Sequence, residues 1–305
     1  MVDVAHTATV ERLPVHLSYL QPAVYDDMVR VGGLHDGGYV ISRARLTSAA
    51  ALVSFGVSTD WAFEKQLLEM VPNLLIHAYD HTVDYKLFAK YTADAVIGSF
   101  TGRAGVGDVM SRLRTWREYY RFFSGRVHHY RERVCHTRDK DNDATIHAIF
   151  QRLGETSNLI VKCDIEGGEY EVISDLLAYA DRVDVILIEF HATDRLRASF
   201  ERHVRSISEQ YCLAHLHGNN YSGRDPDGLP IVLEATFIHK RFGVPPALRE
   251  RLPVPGLDSP CNAAEPELAL SFESTSRCAN DAGKAHVDRD QEKRGDGCAA
   301  SATSS

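Results

Sequence analysis

The chain lacks several features that would each have decided its class. None of its six cysteines (Cys135, Cys163, Cys212, Cys261, Cys278, Cys298) forms a Cys-x-x-Cys pair, so a zinc ribbon or a thioredoxin-like motif has no support. There is no long basic run and the formal net charge is −8, whereas a general phosphate-backbone binder is expected to show a basic face. No nucleic-acid partner is therefore expected. No stretch is long and apolar enough to span a bilayer. The Met1 end has no basic region ahead of an apolar core, so no signal peptide is expected and the cytoplasm is the default compartment. Gly-x-Gly-x-x-Gly is absent, and so is any internal repeat. What is present is ordinary for a globular protein: 305 residues, 44% hydrophobic and 25% charged.

One stretch organises the rest, Asn158-Leu-Ile-Val-Lys-Cys-Asp-Ile-Glu-Gly-Gly-Glu-Tyr-Glu-Val-Ile173. Leu159 to Val161 suit a strand buried on both faces. Asp164, Glu166, Gly167 and Gly168 form its end, and Tyr170, Ile173, Leu176 and Leu177 then repeat at helical spacing. In an open α/β sheet, ligands bind beyond the carboxyl ends of the strands. A carboxylate there needs a partner such as a ligand hydroxyl, an ammonium, a metal or a backbone donor. Capping of the next helix is the plainer role for either acid alone.

The other elements follow the same alternation. Residues 1–27 read as a lead-in helix or arm, and Met28–Val31 and Tyr39–Ile41 as strand-like runs joined through Asp36-Gly37. Ala50–Phe55 is a buried strand, Gly56–Asp60 a turn, and Trp61 to Val71 an amphipathic helix capped by Thr59 or Asp60 and stopped by Pro72. Leu74–Tyr79 is a strand ending in Asp80. Residues 84–126 form a helical insertion, in which Trp116, Tyr119, Tyr120, Phe122 and Phe123 lie among arginines. A cover helix is the favoured reading over a stacking surface for a sugar or base. Arg126–Val134 alternates like one strand, and Ala144–Leu153 is helical. Val183–His191 is a buried strand with Glu189 and His191 at its end, followed by a helix at 196–210, a strand at 211–217 and a last strand at 231–239. Cys163 and Cys212 read as core thiols. The main domain is set at 28–243, followed by a tail at 244–305 expected to be largely disordered, above all over about 275–305.

Strand–helix alternation predicts a doubly wound α/β sheet, with right-handed crossovers joining parallel strands. Two consecutive strands at the end predict an antiparallel hairpin at its edge. A Gly turn after the first sheet strand and acids after later ones suit a nucleoside cofactor at the switch point, where Asp80 fits a ribose-hydroxyl acceptor. Several cofactors have an adenosine, and these residues do not choose among them.

Val-Lys-Cys-Asp164-Ile-Glu166-Gly-Gly-Glu169-Tyr resembles the Lys-x-Asp-x-Glu-Gly-x-Glu signature of the FkbM-type methyltransferases. Val53-Ser-Phe-Gly56-Val-Ser-Thr-Asp60-Trp-Ala-Phe-Glu64 is similar to that family's first motif. His35-Asp-Gly-Gly-Tyr39 and His217-Gly-Asn-Asn220 resemble a bacterial-type branch of it, and the likeness spans about residues 28–240. It implies a class I, Rossmann-like fold and transfer of a methyl from S-adenosylmethionine to a hydroxyl oxygen, on a sugar, glycolipid, polysaccharide or natural product. It further implies that Gly56, Val57 and Ser58 lie against the methionine part, with Phe55 and Glu166 in the same binding set. Asp80 would take the ribose, and Asp164 would sit near the cofactor's ammonium and the reacting methyl. His191 and His217 are the candidates for a base. A divalent metal on Asp164, Glu189, His191 and His217 is a further arrangement, supported by no tight spacing. His215 is assigned to the other sheet face and left out of the set. The chain departs from many methyltransferases in having one glycine, Gly56, in its cofactor motif. The alternatives are a nicotinamide-dependent oxidoreductase and a non-catalytic ligand-binding module on the same fold.

Overall fold

The computed structural model describes residues 10–272, apart from Gly102 and Ala104. The chain begins with strand β1 (Glu11–Arg12), a 3-10 turn (Val15–Leu20), a hairpin of β2 (Met28–Gly32) and β3 (Gly38–Ser42), and helix α1 (Arg43–Thr47). Then come β4 (Ala51–Phe55), α2 (Ala62–Met70), β5 (Leu75–Tyr79), the helices α3 (Tyr85–Phe100) and α4 (Val106–Phe122), and β6 (Val127–Tyr130). They are followed by β7 (Arg133–Cys135), β8 (Asp143–Thr145), α5 (Ile146–Arg152), β9 (Leu159–Cys163), α6 (Glu169–Leu177), β10 (Val183–Phe190) and α7 (Arg197–Gln210). The described chain closes with β11 (Tyr211–Gly218), β12 (Leu233–His239), β13 (Arg251–Leu252) and β14 (Leu270–Ser271).

Seven strands make the central sheet in the order β11-β12-β10-β9-β4-β5-β6. From β10 to β6 all neighbours are parallel, and β12 is antiparallel to both β10 and β11. This is the doubly wound mixed sheet with an antiparallel last strand that the alternation predicted. One placement differs. The C-terminal pair does lie at the margin, but the last strand, β12, is inserted beside β10, and β11 forms the edge. Burial does not set the two apart, since β11 and β12 each have a single residue that is not buried. The outer edge of β11 is covered: Ala23 N–H donates to Leu213 O at 2.8 Å.

Alternation within the strands sorts the core. Ala51, Val53 and Phe55 of β4 and Leu159, Val161 and Cys163 of β9 face α5, α6 and α7 through Phe150, Ile173 and Phe200. Leu52 and Ile160 face the other way, toward the β2–β3 hairpin and α2. Ser54 and Lys162 share that second face by the same two-residue period. A third cluster, with Val57, Trp61, Phe88 and Tyr119, joins α3 and α4 to the end of β5. Trp116, Tyr119 and Phe122 of α4 pack inward, with Trp61 stacked on Phe122 at 6.4 Å, while Tyr120 and the arginines Arg112, Arg114, Arg117 and Arg121 are exposed. That is the arrangement of a cover helix.

Two expectations are corrected. Arg126–Val134 is not one strand: β6 joins the central sheet, and after Arg131 and Glu132 the chain enters β7, which pairs with β8 in a separate two-stranded sheet. Residues 244–272 are not a loose tail. Leu252, Val254, Cys261, Leu270 and Phe272 are buried, and β14 pairs with both β1 and β13. The segment has no regular period, so its apolar residues carry no helical or strand signature. The disorder expected at 275–305 falls outside the described residues, as do residues 1–9. Among the described residues no helix is long and apolar enough to cross a membrane.

Leu270 is fully buried, so Leu270→Ala should cost ~2–5 kcal/mol in chemical denaturation, as for a core leucine. A loss under ~0.5 kcal/mol, the range of surface substitutions, would show that the segment is not part of the core.

Candidate active site

The carboxyl ends of β4, β5, β9 and β10 open into one cleft of about 920 Å³. It lies across the point where the chain, having wound from β4 toward β6, returns to β9 and winds the other way, the usual position for a ligand in such sheets. The turn after β4 is made by Gly56, with φ +76°. A Cβ there would overlap the carbonyl oxygen of Asp164, and Asp164 N–H donates to Phe55 O at 3.1 Å. The glycine therefore lets two neighbouring strand ends touch. Phe55, expected against a cofactor, has its ring in the core and does not line the cleft; Gly56, Val57 and Ser58 do line it.

Asp80 follows β5, as expected, but its two oxygens are already engaged. Oδ2 accepts from Val57 N–H at 3.1 Å and Ser58 N–H at 2.7 Å, and Oδ1 from Thr82 N–H at 2.7 Å and Thr82 Oγ–H at 2.6 Å. A carboxylate offers about four acceptor positions, and these donors fill them. Burial works against ionisation here, yet the bonds from Thr82, Ser58 and Val57 hold the pKa below the ordinary carboxylate value. Asp80 lines the cleft, and through these bonds it clamps the 56–58 turn, in which Ser58 has φ +52°.

Beneath the cleft lies a lysine that the sequence pattern passed over. Lys162 Nζ is almost wholly buried and donates to Gly56 O at 2.6 Å, with Glu64 Oε1 and Asp164 Oδ2 each at 3.9 Å. Burial disfavours its charge, but Glu64, Asp164 and Glu189 raise its pKa above the ordinary lysine value. Glu64 is itself buried and accepts from Ser54 Oγ at 2.6 Å. Tyr39 Oη donates to Asp164 Oδ2 at 2.9 Å, which orients that carboxylate toward the cleft. Lys162 carried a readable signal, since a lysine inside an apolar strand requires acidic partners.

The turn after β9 is held from behind. Glu166 has φ +56° and Gly167 φ +102°. Glu169 Oε1 accepts from Ile165 N–H at 2.9 Å and Gly167 N–H at 3.2 Å, and lies 3.0 Å from His191 Nδ1. Glu166 projects into solvent with its side chain 88% exposed, 3.5 Å from His191 Nε2. Burial would lower the His191 pKa, but the bond to Glu169 and the charges of Glu169, Glu189 and Asp164 raise it above the ordinary 6.5. Glu189 is pushed up by burial and by facing Asp164 and Glu234, and its Oε1 accepts from Asn219 Nδ2 at 2.8 Å. Ser58, Glu166 and Ala192, three of the four non-glycine residues with positive φ among the described residues, all lie on this edge. Such strained backbone persists where surrounding contacts over-determine it, which is characteristic of functional sites.

His217 does not join them. It is about 1% exposed, lies 2.9 Å from Glu234 through Nδ1 and 3.2 Å from Glu267 through Nε2, and does not line the cleft. Its place as a base candidate is corrected, and with it the four-residue metal set that included it. The donor atoms of Asp164, Glu169 and His191 do lie within 4.8 Å of one another, but Glu169 Oε1 is already committed to backbone N–H groups. The assignment of His215 is corrected too, because residues two apart share a strand face. His215 binds Asp258 at 3.0 Å under the same C-terminal segment that covers His217.

Nine carboxylates line the cleft against one lysine and one arginine. Arg133 is bound to Asp143 by two bonds of 3.0 Å, and Lys162 is buried beneath. One donor at the start of α2 is also taken, since Asp60 Oδ1 accepts from Ala62 N–H at 2.9 Å. The edge thus presents an excess of negative charge.

No family model matches the chain, and no curated protein matches it. Among solved structures it is similar to a Methanococcus jannaschii fibrillarin, a pre-rRNA processing protein (7% identity, 64% of this chain and 68% of that one, TM-score 0.33). It is also similar to a precorrin-6y C5,15-methyltransferase of Geobacter metallireducens (11%, 64% and 85%, 0.29) and to an antibiotic-resistance methyltransferase (14%, 68% and 99%, 0.28). Likeness at this level carries no argument about chemistry, which has to be read from the site itself.

Gly56→Ala forces an overlap with Asp164 at a φ that disfavours side chains. It should cost more than the ~1–3 kcal/mol of backbone strain alone, read as a lower denaturation midpoint. An unchanged midpoint would mean that the β4 and β9 ends are not in contact.

Proposed function

We propose that the chain is an S-adenosylmethionine-dependent methyltransferase of the FkbM type, acting on a hydroxyl of a saccharide or other small acceptor. One observation carries this reading. At the strand–turn–helix where a dinucleotide would need backbone donors for its pyrophosphate, Val57 and Ser58 N–H are held by Asp80 and Ala62 N–H by Asp60. A cleft lined by nine carboxylates suits a cofactor with a sulfonium and an ammonium and no phosphate. The same charge disfavours a nucleic-acid acceptor and the nicotinamide alternative.

In this reading Gly56, Val57, Ser58 and Asp164 hold the cofactor. When bound, it supplies a methyl group on a positively charged sulfur, which an acceptor oxygen displaces in line. The chain contributes positioning and a proton acceptor. Tyr39 and Lys162 fix the Asp164 carboxylate. Glu169 fixes His191 through Nδ1 and leaves Nε2 toward the cleft, where the neutral ring can take the acceptor's proton. Because the His191 pKa is raised, the neutral fraction grows as pH rises above neutrality, so turnover should increase on the alkaline side.

Calorimetric titration of the whole chain should show binding of S-adenosylmethionine and none of NAD. Asp164→Asn, which removes the cleft-facing charge, should weaken that binding about tenfold or more. NAD binding alone, or unchanged affinity in the variant, would overturn the assignment. With isotope-labelled histidine, one imidazole absent from His191→Asn should titrate above 6.5 and move down in Glu169→Gln. Titration of that ring at the ordinary value would remove His191 as the base proposed here.

A further inference from the structure

Glu189, Glu234 and His217 stand opposite one another across three adjacent strands: Glu189 pairs with Glu234 between β10 and β12, and Glu234 with His217 between β12 and β11. Residues directly opposite in a ladder share a face. Over the outer two lies the loop after β13, which brings Cys261 into the same space. His217, Glu234 and Cys261 are all buried, and their donor atoms lie within 4.8 Å of one another. His217 Nδ1 is 2.9 Å from Glu234 Oε2, Cys261 Sγ is 3.6 Å from Glu234 Oε1, and Cys261 Sγ is 3.9 Å from His217 Nδ1.

We propose that His217, Glu234 and Cys261 bind a zinc-class divalent metal that fastens the 244–272 segment to the outer strands of the sheet. A tetrahedral ion with ordinary Zn–N, Zn–O and Zn–S lengths places neighbouring donors roughly 3.3–3.6 Å apart. The three observed separations bracket that spacing, so small side-chain shifts suffice. Nitrogen, oxygen and sulfur donors together suit zinc better than magnesium or calcium. The surroundings also fit. The other ring nitrogen of His217 lies 3.2 Å from Glu267 Oε1, so a carboxylate fixes the tautomer that leaves Nδ1 for a metal. Glu267 Oε2 is buried with no hydrogen-bond partner among the described residues. Glu189, Glu234 and Glu267 concentrate acidic groups in a buried space, where an unmatched charge is costly. The three donors come from β11, β12 and the loop after β13, so one ion would tie three parts of the chain. The inference does not depend on the proposed methyl transfer, because none of the three residues lines the cleft.

The competing occupant of the same triangle is a proton on His217. The whole chain, purified without chelators or a metal-affinity tag, should carry about one zinc per molecule by elemental analysis. Removing it with a chelator should lower the melting temperature, and added zinc should restore it. Cobalt added to the stripped chain should give a thiolate-to-cobalt charge-transfer band that Cys261→Ser lacks. A metal-free chain that binds no cobalt would overturn the proposal, as would a cobalt–thiolate band that persists in Cys261→Ser. Since Cys261→Ser removes a single sulfur, a circular dichroism spectrum matching the parent keeps that comparison valid; a variant that unfolds is replaced by the chelation and cobalt titration of the parent, which decide on their own.

Discussion

The Lys162 ammonium is the point on which the carboxyl edge of the sheet depends. It rises from the middle of an apolar strand into a space with no solvent to stabilise it, so its neighbours must do so. Gly56 supplies a carbonyl, Glu64 and Asp164 supply opposite charge, and the Tyr39 ring lies 5.3 Å away. These residues belong to four different elements. The ammonium therefore fixes the turn after β4, the start of α2, the β2–β3 hairpin and the end of β9 relative to one another. Removing one member of such a buried set leaves the others unpaired, which costs far more than the set contributes when whole.

The acids of the cleft divide by where their lone pairs go. Asp80 fills its acceptor positions with backbone N–H groups and the Thr82 hydroxyl, and Asp60 Oδ1 and Glu169 Oε1 accept from backbone N–H groups, so the three hold turns in shape. Asp164 and Glu166 keep oxygen atoms toward solvent. The division explains how an edge with so much negative charge stays ordered, because bonds from backbone donors tie the clamping carboxylates to the turns, and at Asp80 they hold the pKa below the ordinary carboxylate value. It also explains why the loops retain left-handed backbone at Ser58 and Glu166, where a side chain is unfavourable: each strained residue sits between clamped neighbours.

Much of this edge was legible in the sequence. Apolar runs ending in Gly56, Asp80, Asp164 and Glu189 located four strand ends correctly, since a strand buried on both faces leaves little ambiguity about where it stops. The jobs of those acids were less legible. Whether Asp80 faces a ligand or its own loop depends on the φ of Ser58 and the position of Thr82, neither of which has a periodic signature. Tyr39 is 125 residues from Asp164 in the chain, and nothing local marks that pairing. His217 misled for a related reason: its position at a strand end was right, but the segment that buries it comes from residues 258–267, whose aperiodic pattern reads as tail. Lys162 and Glu169 lay inside the very motif that drew attention, and burial, rather than spacing, separates their roles from those of Asp164 and Glu166.

The insertion of β12 between β10 and β11 also sets an order on the way the chain reaches its native state. During synthesis, α7 and β11 emerge before the strand that must lie between β11 and the rest of the sheet. Until residues 233–239 are available, the apolar strand β10 presents an open edge, and β11 has only the wrong neighbour to pair with. A chain of this topology gains by delaying commitment of β11 until the hairpin with β12 can dock as a unit, since pairings between distant segments form slowly and leave edges exposed to other chains meanwhile. The two sides of β11 are thus closed from opposite ends of the sequence, the inner side by β12, which follows it, and the outer edge by Ala23, made long before it.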